Sequence, residues 1–230
     1  MPKDSCDITS KNADCCSSAT HNEVDYKNHW NTVYTKYEVS KLGWYETESS
    51  PILELISNCE LKKNDPILFV GAGSTTLIDS LIADDFTNLI ANDISKEGLE
   101  TLKKRIGKQS NLVEWLVDDL TQPQELNKIA SVKLWIDRAV LHFFTEAEDQ
   151  ETYFNLLQSK MALNGYVILA EFNLSGATKC SGLPVKRYDV NILADKLGNN
   201  FQLLNAFDYV YTMPSGDKRN YVYTLFKRIK

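Results

Sequence analysis

Residues 67–74 read Ile-Leu-Phe-Val-Gly-Ala-Gly-Ser, and this stretch decides the fold. Four consecutive apolar residues that end in glycine are typical of a strand buried on both faces of a parallel sheet. Gly71 and Gly73 let the backbone turn sharply and let a ligand approach the main chain closely. Apolar residues at helical spacing follow from Ser74. The stretch therefore predicts a strand, a ligand-binding turn and a helix, the opening unit of a parallel α/β sheet.

The rest of the chain repeats this alternation of strands and helices. We predict helices at 74–83, 95–106, 146–161 and 188–197, and strands at 88–92, 112–117, 133–136 and 166–172. Asn164-Gly165 is the predicted C-cap of the third helix. Two long β-like stretches, 201–213 and 221–230, flank a turn at 214–217 and predict an antiparallel hairpin at the edge of the sheet. We expect an α/β fold, a doubly wound and mostly parallel seven-stranded Rossmann-like sheet with an antiparallel C-terminal hairpin strand.

Composition indicates an ordinary globular protein and disfavours several functions. The 230 residues are 43% hydrophobic and 24% charged, with a formal net charge of −6. This acidic balance disfavours a broad phosphate-binding face, so we expect no nucleic-acid partner. No apolar run approaches the roughly 18 residues that span a bilayer, and the first residues form no apolar signal segment. We therefore expect a cytoplasmic protein without a membrane partner.

The chain divides into a polar tail and one domain. We predict that residues 1–25, which carry Cys6, Cys15 and Cys16, are disordered, and that residues 26–230 form a single domain with recurring aromatic residues at 26–60. Five cysteines without a secretion signal indicate free thiols, and three clustered sulfurs match no zinc pattern, so no metal site is predicted. A soft-metal contact in the tail stays an alternative.

Acidic residues at two further strand ends indicate the ligand. Asp93 ends the second predicted strand, 20 residues beyond Gly73, where a carboxylate accepts ribose hydroxyls. Asp119 closes the third strand, where it and the backbone N–H of Leu120 can meet an adenine edge. Thr76 stands where a dinucleotide fingerprint has its third glycine, which disfavours a bound pyrophosphate. The pattern favours S-adenosylmethionine over NAD.

The chain resembles the class I S-adenosylmethionine-dependent methyltransferases over about residues 28–172. The stretches that carry the resemblance are 29–34, 44–45, 67–74, 86–95 and 115–119. The nearest branch contains the elongation-factor and citrate-synthase lysine methyltransferases and their bacterial relatives. The resemblance implies that Gly71 and Gly73 lie under the methionine moiety, Asp93 binds the ribose, and Ile94 lies beside the adenine that Asp119 and Leu120 hold. It also implies an aromatic lid of Trp30, Tyr34 and Trp44, for which plain core packing is the alternative.

Residues 135–144 depart from the lysine methyltransferase pattern. Where that branch carries Asp-Lys-Gly-x-Leu-Asp, this sequence has Asp137, Arg138 and, in place of the second Asp, His142. We expect Asp137 beside the methionine moiety, Arg138 orienting a carboxylate of cofactor or substrate, and His142 as general base, with a structural histidine as the alternative. A loop at 180–184 is expected to cover the substrate, with Lys186 and Arg187 offering positive charge; the role of Cys180 stays open.

These observations predict methyl transfer from S-adenosylmethionine to a small-molecule nucleophile by in-line displacement. A protein lysine methyltransferase and a non-catalytic S-adenosylmethionine-binding module are the alternatives. The acceptor atom (sulfur, nitrogen or oxygen) and the oligomeric state are left open by the sequence.

Overall fold

The computed structural model describes residues 24–230, so Cys6, Cys15 and Cys16 of the predicted tail lie outside the described residues. The strands are β1 (Ile67–Val70), β2 (Leu89–Asp93), β3 (Val113–Val117), β4 (Val132–Arg138), β5 (Met161–Phe172), β6 (Lys179–Cys180), β7 (Leu183–Pro184), β8 (Phe201–Thr212) and β9 (Lys218–Arg228). The α-helices are α1 (Tyr26–Lys36), α2 (Ser50–Ser57), α3 (Leu77–Ala83), α4 (Lys96–Ile106), α5 (Ala147–Lys160) and α6 (Val190–Leu197). Within this described part, no helix has the length and hydropathy needed to cross a bilayer.

Seven strands form one sheet in the order β3-β2-β1-β4-β5-β9-β8. Strands β1 to β5 run parallel, and β1 pairs with β2 on one side and β4 on the other. The winding therefore reverses direction at β1, and a cleft at the carboxyl ends of the strands is expected at that reversal. The predicted doubly wound, mostly parallel seven-stranded sheet is confirmed.

Helices cover both faces of this sheet. Neighbouring residues on β1 show the division, since Phe69 packs in one core cluster and Leu68 in the other. The Phe69 cluster includes Leu81 of α3, and the Leu68 cluster includes Leu157 of α5. Because alternate side chains of a strand point to opposite faces, a strand buried between two helical layers needs an unbroken apolar run.

The antiparallel C-terminal hairpin is present at the edge of the sheet, as predicted. Strand β9 pairs antiparallel with both β5 and β8, so β9 lies inside the sheet and β8 forms the edge. Residues 221–226 of β9 are all buried, whereas β8 alternates between exposed and partly buried positions. The more continuously apolar strand thus takes the inner position, which only the three-dimensional pairing reveals.

The predicted helix cap at Asn164-Gly165 is wrong. Helix α5 ends at Lys160, and Met161 already belongs to β5, where it pairs with Val132 of β4. Asn164, with φ at 59°, lies inside β5 near an irregularity in that pairing. Strand pairing with β4 therefore ends the helix four residues before the turn residues that the sequence suggested.

Candidate functional site

A cleft that opens to solvent lies at the carboxyl ends of the parallel strands. The cleft is lined by Tyr26, Trp30, Tyr34, Trp44, Gly71, Asn92, Asp93, Ile94, Asp118, Asp119, Leu120, Thr121, Arg138, Ala139, Val140, Phe143, Phe144 and Cys180. Most of the predicted site residues are therefore brought together; Gly73, Asp137 and His142 are not part of this lining.

The glycine turn after β1 is fixed by contacts on both sides. Gly71 and Gly73 adopt φ values of +57° and +48°, a region that favours glycine. Gly71 lines the cleft, and a Cβ atom added there would lie 2.1 Å from Val140 Cγ2. A Cβ on Gly73 would lie 2.0 Å from the Tyr34 hydroxyl, so Tyr34 covers this glycine. Of the two glycines expected under the methionine moiety, only Gly71 reaches the cleft.

Asp93 ties the glycine turn to the tip of β2. Its Oδ2 atom accepts a hydrogen bond from Gly73 N at 2.7 Å, and its Oδ1 atom accepts one from Ser95 N at 2.7 Å. Burial raises the pKa of this carboxyl to about 6, and the two backbone N–H groups oppose that shift. Each carboxylate oxygen keeps a lone pair for a further donor, and Asp93 lines the cleft beside Ile94.

The two acids after β3 have different partners. Asp119 Oδ1 accepts from both the N–H and the hydroxyl of Thr121, at 2.8 Å each. The Asp118 carboxylate instead accepts the N–H groups of Gln124 and Leu126, which closes the following loop. Asp119 has a second oxygen to offer, so it is the better partner for a ligand.

Asn92 is a cleft residue that the sequence analysis missed. Its Nδ2 donates to Leu116 O and Asp118 O at 3.2 and 3.1 Å, which holds the tips of β2 and β3 together. Its Oδ1 atom is buried and has no hydrogen-bond partner within residues 24–230. This acceptor therefore lacks the hydrogen bond that buried polar atoms usually make. Only its position immediately before Asp93 could have drawn attention to it.

The three aromatic residues of the predicted lid line the cleft. The Trp30 ring packs edge-on against Trp44 and Phe143, with centroids 5.4 and 5.1 Å apart, and Tyr34 lies 6.2 Å from Trp44. Phe143 and Tyr26 also line the cleft, although the sequence analysis did not single them out. For Phe143, the available signal was the Phe-Phe pair at 143–144, in the segment that follows β4.

Arg138 joins the lid to the sheet. Its guanidinium lies over the rings of Tyr211 and Tyr221, 4.9 and 5.2 Å from their centroids. The guanidinium donates to Tyr223 OH at 3.2 Å, Trp44 O at 3.1 Å and Glu46 Oε1 at 2.8 Å. The side chains of Arg138 and Glu46 are only 12% and 9% exposed. This buried ion pair, whose acidic member the sequence analysis missed, borders both the cleft and a second cavity beneath the lid.

Asp137 acts from beneath the cleft instead of lining it. The side chain is fully buried, and its oxygens accept from Val140 N at 3.0 Å, Leu141 N at 3.2 Å and Tyr153 OH at 2.6 Å. Burial raises the pKa of Asp137 to about 6, and burial together with the charge of Asp137 raises that of Glu171. The expected contact with a methionine moiety is thus replaced by support of the turn that carries Val140.

His142 does not occupy the position expected of a general base. The ring is fully buried, packs 4.4 Å from Phe143 and 4.7 Å from Phe172, and lies outside the cleft lining. Burial lowers its pKa to about 3, with the Arg138 charge as a second cause, so the imidazole stays neutral. Residues 141–143 form a short 3₁₀ turn that directs residue 142 inward and residue 143 toward the cleft. The geometry therefore argues against the base role.

The 180–184 segment reaches the cleft through Cys180 alone. Burial raises the pKa of its thiol to about 11. Lys186 donates to Gln150 Oε1 at 2.7 Å, and Arg187 donates to Leu174 O at 2.7 Å. We expected both cations to face the substrate, but neither lines the cleft. Within the described range 24–230, no group of three His, Cys, Asp or Glu side chains is arranged to hold a metal ion.

Comparison with known proteins places this geometry in a structural class. No protein-family model and no curated protein matches the chain. A methyltransferase from Anabaena variabilis superposes with a TM-score of 0.71 at 14% identity, over 88% of this chain and 93% of that one. NodS N-methyltransferase of Bradyrhizobium japonicum, in complex with S-adenosylhomocysteine, gives 0.61 at 12% identity over 79% and 85%. The 1,6-didemethyltoxoflavin-N1-methyltransferase of Burkholderia thailandensis gives 0.59 at 15% identity over 86% and 81%. The chain has the fold of the class I S-adenosylmethionine-dependent methyltransferases.

Proposed function

We propose that this protein is an S-adenosylmethionine-dependent methyltransferase that acts on a small-molecule nucleophile. The observation that carries the proposal is the buried Asp93 carboxylate on the cleft wall, held by Gly73 N and Ser95 N. Such a carboxylate, fixed at the tip of the second strand beside a glycine turn, is a receptor for the two hydroxyls of a ribose. The adjacent Asn92 holds the tips of β2 and β3 together beside this carboxylate.

The remaining nucleoside contacts follow from the strand tips. Ile94 offers an apolar surface to the adenine, and Asp119 with the N–H of Leu120 meets its polar edge. Asp119 suits this role because only its Oδ1 atom is engaged, by Thr121. The lining also contains Asn92, so polar groups converge at one end of the cleft.

The methionine end of the cofactor has a charge match in the Arg138–Glu46 pair. The two side chains border the second cavity, which also includes the glycine turn at Gly71. The amino-acid end of the cofactor carries one ammonium and one carboxylate. Glu46 can pair with the ammonium and Arg138 with the carboxylate, in place of their ion pair with each other. The two side chains are bonded at 2.8 Å and nearly buried. Because a buried charge is stable only beside an opposite charge, each of the two should remain paired when the cofactor is bound, with one charged group of the cofactor as its partner.

The bound cofactor supplies a methyl group on a positively charged sulfur, which a nucleophile displaces in line. The chain's own residues position the two reactants and exclude water. Trp30 and Trp44 form the roof, Asp137 holds the turn that presents Val140, and Phe143 closes the wall after β4. The aromatic faces also favour a cationic sulfur through their negative π clouds.

A small-molecule acceptor is favoured over a protein lysine by the wall after β4. A lysine ammonium needs a carboxylate at the reacting end, and residues 138–144 contribute no acidic side chain to the described lining. The Burkholderia protein is named as a methyltransferase of 1,6-didemethyltoxoflavin, a small molecule. A non-catalytic binding module would need only the nucleoside contacts, and would not need the additional space that the aromatic residues of the cleft line.

Calorimetric titration with S-adenosylmethionine, S-adenosylhomocysteine and NAD tests the proposal. We expect micromolar binding of both sulfur nucleosides and none of NAD. Asp93→Asn should weaken that binding to a lower, still measurable affinity, whereas Asp84→Asn, which removes a surface acid paired with Lys63, should leave it unchanged. Binding of NAD alone, or no binding by the unmodified protein, would exclude the function.

A further inference from the structure

The cleft has two halves of different chemistry, separated by β1. The side of β2 and β3 carries the polar groups of Asn92, Asp93 and Asp119. The side of β4 and β5, together with α1, is lined by Tyr26, Trp30, Val140, Phe143, Phe144 and Cys180. We name this second set the aromatic half. Since the nucleoside contacts belong to the first half, the aromatic half is where an acceptor would lie.

The lid helix is fastened to both walls of the aromatic half. Tyr26 OH donates to Phe143 O at 3.2 Å, and the Trp30 ring packs on the Phe143 ring at 5.1 Å. On the other wall, His29 Nε2 lies 3.4 Å from the hydroxyl of Ser181, next to Cys180. The acceptor space is thus roofed by α1, which suits a small compact molecule.

The titratable groups of the aromatic half are uncharged at neutral pH. Burial raises the pKa of the Tyr26 hydroxyl and of the Cys180 thiol, so both keep their protons. The nearby Arg138 is neutralised by Glu46. None of the six side chains of the aromatic half carries a carboxylate or an imidazole. His29, which contacts Ser181, and Asp149 and Glu146, whose charges act on Tyr26, are not among the residues that line the cleft.

This environment selects among nucleophiles. An amine is protonated near pH 7 and an alcohol keeps its proton, so each needs a base before it can attack. Burying an unpaired hydroxyl or amino group against aromatic rings is also costly. A thiol is weakly polar, ionises in water within reach of neutral pH without a protein base, and reacts as the thiolate.

On the basis of the proposed function, we propose that the acceptor is a small apolar thiol, bound in the aromatic half and methylated on sulfur. The thiol loses its proton to water before it enters the aromatic half, where the positive charge on the cofactor sulfur offsets the charge of the thiolate. The thiolate sulfur then forms a bond to the methyl carbon. The bond between that carbon and the cofactor sulfur breaks, and its electron pair stays on the cofactor sulfur. The products, a thioether and S-adenosylhomocysteine, carry no charge at the reacting sulfurs, which suits the apolar walls.

Binding provides the first test. Benzenethiol, phenol and aniline share one ring and differ in the nucleophilic atom, and each is titrated into protein saturated with S-adenosylhomocysteine. We expect benzenethiol to bind most tightly, and Phe143→Ala to weaken it by about tenfold, as expected for loss of an aromatic contact surface. Tyr37→Ala, an exposed aromatic residue that directly follows α1, should leave binding unchanged. Retained S-adenosylhomocysteine binding by Phe143→Ala shows that this variant is folded.

Methyl transfer from labelled S-adenosylmethionine provides the second test. With benzenethiol and phenylmethanethiol, kcat/KM should rise with pH and level off at the pKa of each thiol, because the acceptor itself ionises. Preferred methylation of phenol or aniline, or profiles that level off at one shared pH, would overturn the inference. Absence of thiol methylation with intact S-adenosylhomocysteine binding would also overturn it, but would leave the cofactor proposal standing. Absence of that binding would refute the proposed function itself.

Discussion

Binding of S-adenosylhomocysteine should depend on pH through the ionisation of Asp93. The pKa of this buried carboxyl is raised to about 6, because burial penalises the charged form more than Gly73 N and Ser95 N stabilise it. Ribose hydroxyls donate hydrogen bonds to the ionised form, so ligand binding and deprotonation favour each other. Lowering the pH from 7 to 5 therefore protonates the group that the ligand needs.

The size of the effect follows from that pKa. At pH 5 only about one Asp93 in ten is ionised, so the dissociation constant should be about tenfold larger than its value well above pH 6. Binding at pH 5 should also release close to one proton. The measured enthalpy should then vary with the ionisation enthalpy of the buffer.

Calorimetric titration between pH 5 and 7 in two buffers measures both quantities. The ligand's own α-amino and α-carboxyl groups ionise mainly outside this range. Asp93→Asn serves as the control, since it keeps the shape but cannot ionise, and its weaker affinity should not change with pH. A flat affinity in the unmodified protein, or the same slope in Asp93→Asn, would refute a ribose contact at this carboxyl.

Three further predictions concern the supports of the site. Arg138→Met leaves the Glu46 carboxylate, 9% exposed, without its cation, and should lower the free energy of unfolding by about 3–5 kcal/mol in urea titrations. Gly73→Ala should weaken S-adenosylhomocysteine binding, because the new Cβ would lie 2.0 Å from the Tyr34 hydroxyl and push this lid residue outward. Burial raises the pKa of Glu171, so this residue holds its proton more tightly in the folded protein than in the unfolded chain, which loses it above about pH 4.5. The free energy of unfolding should therefore fall as pH rises from about 4.5. Glu171→Gln should reduce this fall in urea titrations between pH 4 and 8.

Matched variants separate these effects from general damage. Adding Glu46→Gln to Arg138→Met should recover part of the lost stability, and a lack of recovery would show that the ion pair was not the cause. Gly107→Ala shares the positive φ of Gly73, at +58°, but its Cβ would meet no atom within 4 Å. Equal loss of ligand binding in both glycine variants would contradict the role given to Tyr34. An unchanged pH dependence in Glu171→Gln would contradict the raised carboxyl pKa.

Much of the fold and one half of the site could be predicted from local sequence. The strand ending at Gly71 was predictable because a strand buried on both faces needs an apolar run, and a turn at positive φ favours glycine. The contact of Asp93 with the glycine turn was not predicted, but its position was, since carboxyl ends of parallel strands meet at one edge. Aromatic residues at 30, 34 and 44 marked the lid, although the sequence left core packing open.

The residues after β4 could not be predicted in the same way. Asp137, Arg138 and His142 lie within six positions, and the sequence alone suggested one reacting group. In the structure Asp137 supports a turn, Arg138 pairs with Glu46 from a distant segment, and His142 is buried among aromatic rings. Which side of a short turn faces the cleft depends on packing between segments far apart in sequence, and no local pattern encodes it.

The sequence by itself determined the alternation of strands and helices, the glycine turn and the acids at the strand tips, because these depend on backbone preferences and on periodic burial. Only the tertiary structure decided that β9 lies inside the sheet, that Asn92 joins the tips of β2 and β3, and that one half of the cleft is lined by aromatic side chains. These properties arise from contacts between distant segments, where burial sets both the position and the charge of each side chain.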